Sequence, residues 1–241
     1  MNRKIHDVPS PNYNKRREGA GVDFLVLHYT EVPALEVIDI FQNGTGDGDR
    51  GPVSAHYLIE ENGRITQFVP ESQRAWHAGV SYWKGIADIN SHSIGIEMEN
   101  AGHPADYPNY TEHQISSLIE LGTDIMRRHN IQPQNVLGHS DVAPERKLDP
   151  GPSFPWYKLS RYGIGVWPDV TPEDAALALE FLNFASARAV FMEHLIAYGY
   201  NPELDVEDLR QAFEAHYCPK SSNDEMALSS LLALIRQAEE A

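Results

Sequence analysis

The sequence has a single cysteine, few basic residues and no long hydrophobic run, and each shortage excludes a class of protein. Cys218 alone cannot form an internal disulfide or a multi-thiolate metal site, so any metal must be held by nitrogen and oxygen ligands. The 19 lysines and arginines against 35 aspartates and glutamates give a net charge of −16, which disfavours a nucleic-acid partner because such binding depends on basic side chains that contact phosphates. No apolar run approaches the roughly 18–20 residues of a membrane-spanning helix, so no membrane span is expected.

Two short runs with unusual composition are predicted to be ordinary surface features. The basic run Lys15 to Arg17 is expected to be a solvated turn. The glycine-rich stretch 43–51 lacks the Gly-Lys-Ser/Thr ending of a phosphate-binding loop, and its two aspartates would repel phosphate. We therefore expect a plain loop there.

Charge and residue usage divide the chain into two parts. Residues 1–168 contain 21 acidic and 15 basic residues, whereas residues 169–241 contain 14 acidic and 4 basic ones. Short apolar runs punctuated by glycine and proline give way, near Gly163 to Pro172, to long stretches of alanine, leucine and glutamate. These shifts predict a first domain at 1–168 and a second domain at 169–241.

The first part alternates strand and helix patterns. A buried strand is predicted at 23–28, a hairpin at 54–69 around Asn62-Gly63, and further strands at 93–99 and 135–138. Helices are predicted at 35–41 and 111–129, the second opened by a Thr111/Gln114 capping box. The pattern indicates an α/β fold with a mixed β-sheet flanked by helices.

The second part is predicted to be helical throughout. Apolar spacing gives helices near 172–199, 206–217 and 224–240, the first of which ends at Gly199. Three helices in so short a segment predict a small three-helix bundle.

Two histidines and one aspartate stand where a sheet could present them together. His28 ends the first strand, His139 follows the strand at 135–138, and Asp149 lies in a loop that prolines hold in one shape. Two imidazoles and a carboxylate leave the fourth tetrahedral position of zinc open, as a hydrolytic site requires. The alternative is that each histidine is a hydrogen-bonded residue at the rim of the sheet.

Three further residues could act on a substrate at such a metal. Glu97 and Glu99 each offer a general base, or are solvent-facing strand residues, and Gly95 on the same strand face would leave room for a ligand. Lys147 could stabilise the negative oxygen that develops on an attacked carbonyl, or is a plain surface lysine. Arg74, Trp76 and His77 lie in an irregular aromatic segment that could bind a sugar or peptide or could anchor local packing.

Five motifs together resemble a known family. They are Phe-Leu-Val-Leu-His28-Tyr-Thr, Val-Ser-Ala-His56-Tyr-Leu-Ile, Arg-Ala-Trp76-His77-Ala-Gly, Ser-Ile-Gly-Ile-Glu97-Met-Glu-Asn and Gly-His139-Ser-Asp followed by Arg-Lys147-Leu-Asp149-Pro-Gly-Pro. In this order, over residues 20–168, the chain resembles the zinc-dependent N-acetylmuramoyl-L-alanine amidases of the type-2 family, the group that includes the peptidoglycan recognition proteins.

The resemblance implies a role for each matched residue. His28, His139 and Asp149 would bind one zinc ion, and Glu97 would be the base that activates water. Lys147 would polarise the attacked carbonyl, while Arg74, Trp76, His77 and His56 would line the substrate site. The implied reaction is hydrolysis of the amide between N-acetylmuramic acid, or its anhydro form, and the L-alanine of the stem peptide, in cell-wall turnover or recycling.

The resemblance also leaves open the biological role. Residues 195–217 resemble, more weakly, a helical peptidoglycan-binding module, or they form an appendage that only packs on the first domain. A peptidoglycan recognition protein without activity and a lytic toxin or endolysin are alternatives. The first 21 residues contain no secretory signal, so the chain as it stands is expected to be a cytoplasmic monomer, or periplasmic or cell-wall-associated if a leader was removed or export follows another route.

Overall fold

The fold is described from a computed structural model, which covers residues 4–44, 51–219 and 223–240. The loop predicted at 43–51 falls mostly on 45–50, outside the described residues. None of the helices within the described ranges is long and apolar enough to cross a membrane.

Short strands form two sheets in the described ranges. The strands are β1 (Ile5–Asp7), β2 (Tyr13–Lys15), β3 (Phe24–Tyr29), β4 (Tyr57–Ile59), β5 (Ile65–Gln67), β6 (Gln73–Ala75), β7 (Ser93–Met98) and β8 (Val136–Gly138). Six of them form a mixed sheet in the order β1-β5-β4-β7-β3-β8, and β2 pairs with β6 in a second, antiparallel sheet. The predicted mixed α/β fold is confirmed.

The centre of the main sheet sets the position of the site. Strand β3 is buried along its whole length and pairs in parallel with both β7 and β8. The register places His28 opposite Glu97, and Leu27 opposite Gly138, the residue before His139. Because the carboxyl ends of these parallel strands lie at one edge of the sheet, the three functional side chains meet there.

The hairpin predicted around Asn62-Gly63 joins β4 to β5 in antiparallel pairing. Gly63 has a φ of +83°, and a Cβ there would lie 2.7 Å from the carbonyl oxygen of His113, so both backbone conformation and space require glycine. The strands β1, β2 and β6 were not predicted, because each has three residues and largely unburied side chains that show no apolar alternation.

Helices cover both faces of the sheet. They are α1 (Ala34–Asn43), α2 (Ile89–His92), α3 (Glu112–His129), α4 (His139–Val142), α5 (Trp156–Ser160), α6 (Pro172–Phe184), α7 (Ala187–Tyr198), α8 (Val206–Tyr217) and α9 (Asp224–Glu240). The capping box predicted at the start of α3 is present, with Thr111 accepting from the Gln114 N–H. The apolar face of α3 packs on Leu25 and Leu27 of β3 and on Ile94 and Ile96 of β7.

The second part of the chain has four helices in the described residues rather than the predicted three. The helix predicted at 172–199 is two helices, α6 and α7, because Ala185 is extended and the hydroxyl of Ser186 caps the second one by accepting from the Ala189 N–H. The sequence signal for this break was the serine within Phe-Ala-Ser-Ala, which the apolar spacing on either side concealed.

One hydrophobic core crosses the predicted domain boundary. Phe24 and Val26 of β3 and Leu137 of β8 belong to the same cluster as the buried side chains of α7, α8 and α9. The C-terminal helices therefore cover the face of the sheet opposite α3. A boundary at residue 168 remains a proposal that rests on composition.

Candidate active site

Three side chains converge at the carboxyl edge of the sheet. Nδ1 of His28, Nδ1 of His139 and Oδ2 of Asp149 form a triangle in which each pair of atoms is 3.0 Å apart. All three residues are buried, and within the described residues they form the group suited to hold a metal ion. The structure therefore brings together the three residues predicted as metal ligands.

This triangle fits zinc in donor type and in size. A tetrahedron with metal–ligand distances of about 2.0–2.1 Å has edges of about 3.3–3.4 Å, close to the observed separations. Burial, and then the neighbouring His139, lower the pKa of His28 to about 4. Burial alone would raise the pKa of Asp149, but the charge and hydrogen bonds of the two histidines lower it well below its usual range. At neutral pH His28 is neutral and Asp149 ionised, as ligands must be.

A directional chain of hydrogen bonds orients His28. The Ser93 hydroxyl donates to the carbonyl of Ile89 at 2.7 Å, so its oxygen accepts from Nε2–H of His77 at 3.1 Å. Burial, and then His28, hold the pKa of His77 well below its usual range, so Nδ1 of this neutral ring accepts from Nε2–H of His28 at 3.0 Å. This series of hydrogen bonds leaves the Nδ1 lone pair of His28 free for a metal.

These hydrogen bonds indicate a role for His77 that differs from the predicted contact with substrate. Its ring is buried and bonded on both nitrogens inside the protein, which does not fit a residue that contacts substrate. Gly95 was expected to leave room for a ligand, but a Cβ there would lie 2.5 Å from Cγ of His77. The space beside Gly95 is therefore occupied by the ring that orients His28.

His139 is oriented by the backbone next to His77. Its Nε2 donates to the carbonyl of Ala78 at 3.1 Å, which leaves Nδ1 for the metal. The backbone N–H groups of His77 and Ala78 both donate to Oδ1 of Asn90, at 3.0 and 2.8 Å. Asn90 was missed by sequence reasoning, because an asparagine in a short polar segment carries no periodic signal.

The structure separates the two candidate bases. Glu99 is committed to the backbone, accepting from the N–H groups of Ala34 at 2.7 Å and Glu61 at 2.8 Å. In contrast, Oε2 of Glu97 is buried and has no hydrogen-bond partner among the described residues. Burial, and then the charge of Asp149, raise the pKa of Glu97 well above its usual value. Of the two candidates, Glu97 therefore has a carboxylate oxygen that is not committed to a hydrogen bond among the described residues, which the prediction of a base at this position requires.

Lys147 lines a cavity whose wall also includes Ser140 and Leu148, the chain neighbours of two residues of the triangle. It is half-buried, and its positive charge lowers the pKa values of both His28 and Glu97. The cavity has a volume of about 270 Å³ and lies between the loop that carries Lys147 and helix α8, with Tyr107 and Gln211 in its wall. A substrate carbonyl near Glu97 would be within the field of this lysine.

The remaining predicted substrate-binding residues are His56, Arg74 and Trp76. His56 is fully buried and accepts from the Gly95 N–H at 3.0 Å, and burial lowers its pKa to about 3, so a substrate contact does not fit its placement. Arg74 donates to Asp88 at 2.9 Å, and Nε1 of Trp76 donates to Asn14 at 2.9 Å. Both side chains are half-buried and keep some exposed surface.

The prediction that the basic run at 15–17 is a solvated turn is wrong for Arg16. Arg16 is not solvated: its guanidinium donates to the carbonyls of Glu71 at 2.9 Å, Ser91 at 2.8 Å and Ser93 at 2.9 Å. It therefore ties the N-terminal segment to the strand that carries Ser93. Adjacent charges suggested a solvated turn, whereas the partners of Arg16 are distant carbonyl groups that no local pattern reveals.

Two histidines and an aspartate grouped at the end of parallel strands, with an unpartnered glutamate oxygen beside them, are typical of metal-dependent hydrolases. Comparison with known sequences gives the family. The profile of the family described as N-acetylmuramoyl-L-alanine amidase matches residues 18–152, more than half of the chain. The chain belongs to this family and is an enzyme of the amidase class, which confirms the resemblance seen in the motifs.

Relatives and solved structures agree with this assignment. The chain is 38% identical over 221 residues to N-acetylmuramoyl-L-alanine amidase AmiD of Escherichia coli K12, covering 85% of this chain and 78% of AmiD. It is 40% identical over 165 residues to 1,6-anhydro-N-acetylmuramyl-L-alanine amidase AmpD of Enterobacter cloacae, covering 63% of this chain and 86% of AmpD. The complex of E. coli AmiD with anhydro-N-acetylmuramic acid-L-Ala-D-gamma-Glu-L-Lys has a TM-score of 0.75 at 33% identity over 94% of both chains. AmpDh3 of Pseudomonas aeruginosa in complex with anhydromuramic pentapeptide has a TM-score of 0.77 at 33% identity, over 90% of this chain and 92% of that chain.

Proposed function

We propose that this chain is a zinc amidase that hydrolyses the amide between N-acetylmuramic acid, or its 1,6-anhydro form, and the L-alanine of the stem peptide, in cell-wall turnover or recycling. The observation that carries the proposal is the buried triangle of His28, His139 and Asp149 next to the unpaired Oε2 of Glu97. The solved complexes of two relatives with anhydromuramyl peptides support the substrate class.

The chemistry divides between the metal and the protein. A zinc ion held by His28, His139 and Asp149 would supply Lewis acidity to the attacked carbonyl and would lower the pKa of the attacking water. Glu97 takes one proton from that water as its oxygen bonds to the carbonyl carbon, and gives this proton to the amine nitrogen as the C–N bond breaks. The products are the carboxylic acid on the lactyl group, which then loses its remaining proton to solvent, and a stem peptide with a free amine.

Lys147, Trp76 and Arg74 act on the substrate in this proposal. The ammonium group of Lys147 stabilises the negative oxygen that forms on the carbonyl, because its field already reaches Glu97 and His28. Trp76 offers its ring as an apolar wall, since its N–H is committed to Asn14. Arg74, bound to Asp88 on one side, is proposed to meet a stem-peptide carboxylate.

All of these residues come from one chain, so we propose that the monomer is the active unit. A recognition protein without activity is less consistent with the site, because a pure binder needs neither an intact ligand triangle nor a free base. An endolysin or toxin would use the same chemistry on intact cell wall, and only the preferred substrate separates it from a recycling enzyme.

The test offers intact sacculi and soluble anhydromuropeptides side by side, with products identified by mass spectrometry. We expect free stem peptides from the soluble substrate, and release from both would indicate broad specificity. Chelation should stop the reaction and added zinc should restore it. Failure to release stem peptide from either substrate, with zinc bound, would contradict the proposal. Fractionation of the native cells that express the chain distinguishes a cytoplasmic location from a periplasmic or cell-wall-associated one.

A further inference from the structure

One buried carboxylate, Asp141, links the C-terminal helices to the turn that carries a metal ligand. Asp141 is 1% exposed and lies in α4, two residues after His139. Its Oδ2 accepts from the backbone N–H of Gly138 at 2.7 Å and from Nδ1 of His216 at 2.7 Å. Its Oδ1 accepts from the hydroxyl of Tyr200 at 2.8 Å. The carboxylate therefore joins the start of α4 to two residues of the C-terminal segment.

The turn held by Asp141 contacts two of the three metal ligands. It contains His139 itself, whose carbonyl accepts from the Ala143 N–H at 3.0 Å. The N–H of Ser140 donates to the carbonyl of Asp149 at 2.9 Å. A rotation of this turn would therefore move Nδ1 of His139 and the backbone of Asp149 at the same time.

Both C-terminal donors are themselves fixed by packing. The ring of His216 stacks on Trp156 with centroids 3.7 Å apart and planes inclined by 20°. Its Nε2 is buried and has no partner among the described residues, so its one polar contact there is the bond from Nδ1 to Asp141. Tyr200 is 1% exposed and packs edge-on against Trp83, with ring centroids 4.9 Å apart. Buried ring contacts thus fix the positions of both donors.

We propose that Tyr200 and His216 are positioning residues of the metal centre, which act through Asp141 to hold His139 in the ligand triangle. A buried carboxylate that loses a donor must find another or let water in, and either response shifts the turn on which it lies. Both residues lie outside the family match at 18–152. The inference rests on the zinc site of the proposed function and does not depend on its substrate.

The test measures zinc affinity in full-length variants. Apo protein is titrated with zinc in competition with a chromogenic chelator, and the absorption spectrum of the cobalt-substituted protein reports ligand geometry. Removing the hydroxyl in Tyr200→Phe should weaken zinc binding by about 10-fold, at the low end of the 10–100-fold effect typical of outer-shell partners. Thermal unfolding of each apo protein separates this effect from loss of the fold.

Two variants at His216 separate the hydrogen bond from the stacking. His216→Phe keeps a ring against Trp156 but removes the donor, whereas His216→Asn places an amide N–H near the position of Nδ1 and loses the ring. We expect the phenylalanine variant to bind zinc at least about 10-fold more weakly, and the asparagine variant to recover most of that loss.

Tyr198→Phe is the matched control. Its hydroxyl is buried, donates to Tyr217 at 3.1 Å and belongs to the same aromatic cluster around Trp83, but it makes no bond to Asp141. We expect wild-type zinc affinity in this variant. Wild-type affinity in both Tyr200→Phe and His216→Phe, or an equal loss in Tyr198→Phe, would overturn the proposal. A wild-type protein that binds zinc but cleaves no muropeptide would contradict the proposed substrate and leave this inference standing.

Discussion

The two histidines proposed as metal ligands are supported from different parts of the chain. His28 is oriented by a chain of hydrogen bonds through His77 and Ser93, all within the main sheet and the loop beside it. His139 is oriented directly by the carbonyl of Ala78, and the turn on which it lies is held through Asp141 by Tyr200 and His216. One support is local to the amidase fold, and the other reaches into the acidic C-terminal helices.

This difference shows that a boundary drawn from composition need not be a boundary of the active site. The family match at 18–152 contains every proposed ligand and the whole support of His28, but only part of the support of His139. The match to AmiD extends over 85% of the chain and includes C-terminal residues, whereas the match to AmpD covers 63%. Variants of the ligands, of the base and of each support should therefore have effects of decreasing size.

Replacing either histidine itself should have the same effect, whichever support holds it. We expect His28→Ala and His139→Ala each to abolish both zinc retention and hydrolysis, because two protein ligands rarely hold the metal. Metal content by mass spectrometry and turnover of a muropeptide check this expectation. Circular dichroism of the apo proteins is the control for folding. Unchanged metal content in either variant would remove that residue from the ligand set.

Replacing the base should leave both supports intact and still slow the reaction. Glu97→Gln should keep zinc bound and lower kcat by about 10²–10⁴, the usual effect of a positioned acid–base group. Glu99→Gln is the control, because its carboxylate binds the backbone of Ala34 and Glu61 and should affect stability rather than turnover. If Glu99→Gln loses turnover and Glu97→Gln does not, the assignment of the base is wrong.

Much of this arrangement could be predicted because it depends on local patterns. The apolar run of β3, the Asn62-Gly63 turn and the Thr111 capping box each report on backbone conformation within a few residues. His28 and His139 could be placed at a sheet edge because His28 lies near the end of an apolar strand and His139 directly follows one. The Glu97 position followed from strand alternation, although alternation could not separate it from Glu99.

The supports of the ligands could not be predicted in the same way. His77 and Gly95 are complementary only because β7 passes beneath the ring, and the sequence shows no relation between positions 77 and 95. His216 and Asp141 are 75 residues apart and belong to segments of different composition. Polar pairs of this kind depend on tertiary contacts, for which a single sequence provides no periodicity. The break between α6 and α7 at Ser186 was missed for a different reason, because the apolar spacing continues across it.

Removing one oxygen atom weakens the support of His28 and allows a comparison with the support of His139. Ser93→Ala removes the acceptor for Nε2–H of His77, and an unpaired buried donor of this kind costs about 1–3 kcal/mol. A change of tautomer in His77 would remove the unpaired Nε2–H donor, but it would place two N–H groups face to face between the rings of His77 and His28. We therefore expect zinc affinity to fall by about 10-fold, as in Tyr200→Phe.

Ser91→Ala is the matched control for this variant, since Ser91 is also buried and its hydroxyl accepts from the Arg17 N–H without contact to His77. Chelator competition measures both variants. A wild-type zinc affinity in Ser93→Ala would show that the ring of His77 is held by packing against Gly95 alone. The two supports would then differ in kind and not only in location.

The smallest effect on zinc affinity is expected from a change at Glu71, whose half-buried carboxylate lies outside the hydrogen bonds that orient His28. It accepts from the hydroxyl of Tyr57 at 2.7 Å and from Arg128 and His129 at the end of α3, while its backbone carbonyl accepts from Arg16. Burial would raise the pKa of Glu71, but the bonds from Arg128, His129 and Tyr57 lower it to about 2.

Since the folded pKa of Glu71 lies below its unfolded value of 4.5, the carboxylate stabilises the fold fully above that value, and this contribution is lost as the pH falls towards about 2. Glu71→Gln should therefore lower the free energy of unfolding by about 1–2 kcal/mol at pH 7, and the difference from wild type should vanish between about pH 5 and 2. Urea unfolding across this range measures it. Zinc affinity should not change, because Arg16 contacts the backbone of Glu71 and not its carboxylate. A weaker zinc affinity in Glu71→Gln would mean that the local support of His28 extends to the end of α3, as the support of His139 extends to α8.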